Sequence, residues 1–339
     1  MIKTFPNNET ILIIYKNTVE IYSTTMEYKS TIINKSNIND AIMMENGNIV
    51  TVCDDKLVTV FDKTNKLISH ILLSKKPTCV VELDETILVS DKFGDVYQFK
   101  MSDLVPAEED ANKNKDTIAN NIILAHFSVI NEISVSKRKN AIISCDRDEK
   151  IRVTRYPRTD IIQSFCYGFV ELITSCKSEI VENKQIIAAG GCDGSLRIFD
   201  IADGKELAHH QFGSRDVVVI YDMKMNGNVL EMIVSIEGKY SMIVKNVVGE
   251  NCTFGSFEIE RIENVIKGGK FVGNDILVYL TNDSVQFVKE QKLIELKKEG
   301  ANEELKNDGI VFESMRKNIS PKERFLNCDG DDEVKKLEK

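Results

Sequence analysis

Asp146 and Asp148 stand two residues apart, the kind of carboxylate pair that does general acid and base work in a glycoside hydrolase. Cys145 beside them could act as a nucleophile if His126 served as its base. A third candidate is AAGGCDGSLRIFD at 188–200, whose glycines a nucleotide site would need between a strand and a helix. The fourth is binding rather than catalytic. SCDRDEKIRVTRYPRTDIIQSF, from Ser144 to Phe165, puts five basic and two acidic side chains into the twelve residues Arg147–Arg158 of a chain whose formal net charge is -9.

Most of these lose their chemistry once the neighbouring sequence is read. The glycine run leads into LRIF, a strand rather than a helix, so its glycines serve a hairpin and a bulge. Asp148 recurs as Asp55 and Asp193 at one place in similar segments, which marks all three as structural turn aspartates. The eight cysteines, at 53, 79, 145, 166, 176, 192, 252 and 328, form no CxxC and meet no histidines at zinc-ligand spacing. They read as reduced, packed thiols, and no metal site is expected. No run of about 18 apolar residues occurs, and the N-terminus lacks the order of a secretory leader, so an intracellular protein is expected. A pI near 5.2 argues against a protein that coats nucleic acid unaided.

The elements that carry these residues repeat. NTVEIYS, KLVTVFD, GDVYQFK, EKIRVTR, GSLRIFD, KYSMIVK and DSVQFVK, anchored at Val19, Val58, Val96, Ile151, Leu196, Met242 and Val285, are spaced by 39, 38, 55, 45, 46 and 43 residues. Each follows a more apolar run such as ILIIY, AIIS or IIAA, with Asp, Asn or Gly in most of the gaps, so each unit contains a hairpin. A period near 40 with β-branched alternation suits four-stranded blades, and ring closure would remove the sheet edges. The expected fold is therefore all-β: a seven-bladed β-propeller over 1–297, followed by a charged, partly disordered C-terminal segment at 298–339. The 55-residue spacing is assigned to SDLVPAEEDANKNKDTIANN, residues 102–121, expected as a mobile loop between blades 3 and 4.

Phe61-Asp62 and Phe199-Asp200 resemble a degraded WD dipeptide in a chain without tryptophan, which makes this a divergent WD repeat. His126, in AHFSV, stands where the Gly-His element opens such a repeat and bonds within the blade. The run from LAHFSV through DRDEKIRV and IIQSFCYG to AAGGCDGSLRIFD strongly resembles the WD-repeat non-catalytic subunit of eukaryotic tRNA (guanine-N(7)-)-methyltransferase, with DKFGDVYQF and KKPTCV in support. It departs from that family where Gly168-Phe169 replaces a second Gly-His.

The resemblance implies a nuclear scaffold that does no chemistry and binds no cofactor of its own. Its partner, a catalytic methyltransferase subunit, binds S-adenosylmethionine and methylates a guanosine in the tRNA variable loop; tRNA is met mainly through the complex. The resemblance also implies that Arg152 faces that subunit and pairs with an acidic side chain. Lys150 is expected beside it on one strand face, and Arg147, Arg155 and Arg158 extend the patch. The alternative is a generic WD scaffold of another intracellular complex.

Overall fold

The recurring motifs are halves of hairpins. In a computed structural model of the chain, which describes residues 2–4, 10–23, 27–113, 118–262, 266–272, 275–280, 285–289 and 292–295, every apolar run is a second strand and every alternating run the third strand paired to it. Ala141 pairs Arg155 through to Cys145 with Ile151 in one such hairpin, and Ile186 pairs Asp200 through to Gly190 with Leu196 in the next. The described residues form seven antiparallel sheets, here called blades 1 to 7: 2–33, 38–72, 77–125, 130–166, 173–211, 218–262 and 266–295. Contacts run between the first strands of successive blades from Ile38–Met43 of blade 2 to Ile266–Val272 of blade 7, and that last strand touches Ile2–Thr4 of blade 1. The chain divides into Met1–Leu296 and Lys297–Lys339. The C-terminal segment expected at 298–339 lies outside the described residues.

Period-two alternation builds the core between blades rather than within them. Ile143, Val153, Ile187 and Phe199 are fully buried between blades 4 and 5. Ile142, on the other face of its strand, packs with Leu124, Ile130 and Ile133 between blades 3 and 4. Each such aliphatic side chain contributes about 1.5–3 kcal/mol on burial. Arg152, between Ile151 and Val153, therefore has to face blade 3.

Side chains on the first strands also bond one blade to the next. Each of these strands but the first carries a bulge against its hairpin partner. The residue after it often reaches across: Asp40 Oδ2 accepts from Val80 N at 3.0 Å, Glu132 Oε2 from Cys176 N at 2.8 Å, and Asp222 Oδ2 from Phe271 N at 3.0 Å. Lys177 pairs with the same Glu132, and Lys270 Nζ with Asp222 at 2.7 Å. Asp40 is 4% exposed, so Asp40→Ala leaves a buried amide without its acceptor. The expected cost is about 1–3 kcal/mol, read as a lower urea midpoint with an unchanged slope.

Two expectations change. In blades 2 and 5 the hairpin turn is held as expected, Asp55 Oδ1 accepting from Leu57 N at 3.2 Å and Asp193 Oδ1 from Ser195 N at 2.9 Å. In blade 4 the work falls to Asp146, which accepts from Asp148 N at 2.9 Å and Lys150 N at 3.3 Å. Asp148 is exposed and takes only the Ser128 hydroxyl at 3.1 Å among the described residues. Blade 3 uses Asp91 in the same way, so a carboxylate at the end of the second strand reaches the amides that a turn residue reaches elsewhere.

The segment 102–121 lies within blade 3, between its third strand Asp95–Phe99 and its fourth, Ile122–Ala125, rather than between blades 3 and 4. Val105–Pro106 pairs with the Leu67–Leu72 strand as a fifth strand of blade 2. Leu104, Val105 and Ile118 are buried, and this apolar anchorage is what the polar composition of the segment concealed.

Candidate partner-binding site

His126 lies between two side chains of blade 4's second strand, Ala141–Asp146. Its Nδ1 is 2.9 Å from Asp146 Oδ2 and its Nε2 is 2.7 Å from Ser144 Oγ. The order Ser, His, Asp is that of a hydrolytic triad, but Ser144 is fully buried and the His126 side chain is 4% exposed, so no substrate reaches the hydroxyl. The three groups satisfy one another instead. Cys145 points to the opposite face of the strand, where burial holds its thiol well above the usual range, so it does not form a nucleophile pair with His126. In blade 5 Phe169 occupies the histidine's place; its ring lies 6.2 Å from Phe199 and 5.3 Å from the Arg197 guanidinium. Gly194, at φ +79°, carries the adjoining hairpin turn, where a Cβ would come within 1.6 Å of the Gly213 carbonyl.

The basic segment is divided by the strand that runs through it. Arg147 and Lys150 lie in the turn before Ile151–Arg155, and Arg155 and Arg158 lie at and beyond its far end. A strand rises about 3.3 Å per residue, so Arg155 is about 10 Å past Arg152. Arg158 is bound to Asp160 at 2.8 Å. The five residues expected as one patch are thus split between the two ends of the strand, with Lys150 in the turn rather than on the strand face.

Arg152 differs from its counterpart one blade on. Arg197 Nη1 pairs with Glu206 on the outer strand Glu206–Gln211, and its Nε donates to Ser195 Oγ at 3.1 Å. Arg152 Nε donates to Thr154 Oγ1 and its Nη1 to the Ala125 carbonyl, both at 3.0 Å. Among the described residues no carboxylate lies within ion-pair distance of it. The registers match across the two blades: Phe199 pairs Glu206 and Thr154 pairs Ile162, so an isoleucine stands where blade 5 has its glutamate. Half-burial lowers the basicity of the Arg152 guanidinium, the sign of a cation that has lost water without gaining an anion.

Seven sheets with blade-to-blade packing and a buried histidine latch define a WD-repeat propeller. The C-terminal WD40 domain of Sif2 superposes with a TM-score of 0.62 at 13% identity over 85% of this chain and 80% of that one. The computationally designed Ika8 protein gives 0.58 at 12% identity over 87% and 85%. The family model for the tRNA methyltransferase TRM82 WD40 domain matches residues 15–117 and 103–253, and the chain belongs to that family.

The chain is 29% identical over 233 residues to the tRNA (guanine-N(7)-)-methyltransferase non-catalytic subunit wdr4 of Dictyostelium discoideum, covering 64% of this chain and 50% of that protein. To the non-catalytic subunit TRM82 of Candida glabrata it is 30% identical over 189 residues, covering 51% and 43%. To the non-catalytic subunit wuho of Drosophila melanogaster it is 38% identical over 126 residues, covering 37% and 26%. The chain thus spans half or less of the length of these relatives.

Proposed function

We propose that this chain is the non-catalytic scaffold of a heterodimeric tRNA (guanine-N7) methyltransferase, acting in the nucleus. A catalytic partner binds S-adenosylmethionine and methylates a guanosine of the tRNA variable loop. This chain binds no cofactor and meets tRNA mainly through the complex. The names of its relatives support the reading. The single observation that carries it is Arg152, a half-buried cation whose bonds among the described residues are to a hydroxyl and a carbonyl. A carboxylate on the partner would supply the missing charge. Binding of only the active conformation of that partner stabilises it by mass action, so a scaffold raises activity without touching the reacting atoms.

The test is methyl transfer from labelled S-adenosylmethionine to unmodified tRNA, using this chain, the candidate catalytic subunit, and both together. Activity that appears or rises in the mixture is the expected result. Equal activity with and without the chain, and no complex by gel filtration, would remove the reading.

A further inference from the structure

The Arg152 guanidinium has an aromatic side chain across the strand from it. Its cross-strand neighbour on the outer strand Ile162–Cys166 is Phe165, so the two side chains project from the same face of blade 4, toward blade 3. Phe165 stacks on Tyr167, the ring centroids 5.8 Å apart with 30° between the planes. Tyr167 is 61% exposed. On blade 3, the Ala125 carbonyl that accepts from Arg152 is followed two residues later by Phe127, whose side chain is wholly exposed. Ile162, on the same outer strand as Phe165 and opposite Thr154, adds a further exposed apolar side chain.

Isolated exposed apolar residues are ordinary, but two exposed aromatic rings on the strands next to a cation with no carboxylate partner among the described residues are not. An interface centre has this composition: aromatic anchors near an ionic contact exclude water from it once a partner covers them. The charge around it selects the occupant. Asp148 and Glu149 share the hairpin turn with Arg147 and Lys150, so the turn carries no net positive charge, in a chain of net charge -9. A phosphate backbone needs clustered cations without such carboxylates. A single carboxylate on an otherwise apolar protein segment fits both the cation and the rings.

Building on the proposed function, we infer that Tyr167 and Phe127 form the apolar half of the docking site for the catalytic subunit. They receive an apolar side chain next to the carboxylate that pairs with Arg152. The rings seal that ion pair from solvent, which raises its contribution above that of a surface pair.

The experiment measures the affinity of the full chain for the purified catalytic subunit, with Tyr167→Ala and Phe127→Ala beside Ile33→Ala. Ile33 is 71% exposed on blade 1 and serves as the control. The expected result is tenfold or weaker binding for each ring variant, an unchanged Ile33→Ala, and the wild-type unfolding midpoint in all three, since each side chain stands in solvent. Tyr167→Phe retains binding, because the ring and not the hydroxyl makes the contact. Ring variants that bind the subunit as the wild type does overturn the inference and leave the scaffold reading intact. Ring variants that lose tRNA retention in a gel-shift assay while binding the subunit normally also overturn it, and assign this surface to nucleic acid. A wild-type chain that captures no catalytic subunit overturns both.

Discussion

Arg152→Ala is expected to weaken capture of the catalytic subunit by at least about thirtyfold, while the propeller stays folded. Truncating one side of a desolvated, hydrogen-bonded charge pair costs about 2–5 kcal/mol, and each 1.4 kcal/mol is a factor of ten in affinity. A rim pair in solvent would lose only about 0.2–1 kcal/mol, less than tenfold, so the two settings are separable in one titration. The free chain loses stability as well, and the unfolding midpoint separates that loss from the loss of binding. Arg152 gives up bonds to Thr154 Oγ1 and to the Ala125 carbonyl, each at 3.0 Å and each contributing on the order of 1 kcal/mol. Arg152→Lys keeps the charge and loses the fork, and its affinity is expected to fall between those of the wild type and the alanine variant. Surface plasmon resonance on the purified pair measures all three, with unfolding midpoints alongside. Wild-type affinity for Arg152→Ala would remove the residue from the interface.

Asp146→Ala is expected to be the more damaging change to the fold. Asp146 is 4% exposed and holds three donors: His126 Nδ1 at 2.9 Å, Asp148 N at 2.9 Å and Lys150 N at 3.3 Å. Removing it leaves a buried imidazole and two turn amides without acceptors, for about 3–5 kcal/mol in total. The same turn leads into Arg152, so partner capture falls with stability. Urea unfolding measures the first effect. Asp146→Asn keeps a carbonyl oxygen in place and is expected to recover about half of the loss. An alanine variant as stable as the wild type would show that the His126 latch does not hold blade 4.

The hairpins were legible in the sequence for a local reason. AIIS followed by EKIRVTR, or IIAA by GSLRIFD, states the alternation, the turn and the register within about fifteen residues. The fourth strands were not. Ile122–Ala125 of blade 3 is separated from its partner by the 102–121 insertion, and its four residues carry no pattern of their own. The turn aspartate was misplaced for a related reason: Asp146 and Asp148 both precede the anchor by a few residues, and only the geometry shows which one the amides reach.

The basic patch failed differently. Arg147 and Arg158 are close in sequence, but a strand that carries the chain across the blade sets them at its two ends. Tyr167 was in view, within IIQSFCYG, and Phe127 within AHFSV, yet nothing local distinguishes an exposed ring from a buried one such as Phe169, two residues on from Tyr167. That Arg197 has a carboxylate partner and Arg152 has none among the described residues depends on Glu206 and Ile162, which share a register position that only the folded sheets define.

Pro106 ends the short strand that extends blade 2, opposite Ser69. Proline has no amide hydrogen, so the outermost strand of that blade offers an incoming chain an incomplete row of donors. A propeller displays its outer edges all around its circumference, and each is a template for unwanted strand addition between copies. By borrowing two residues from the blade 3 insertion, blade 2 ends on a segment that is short and poor in donors, a weak template for a strand of another molecule.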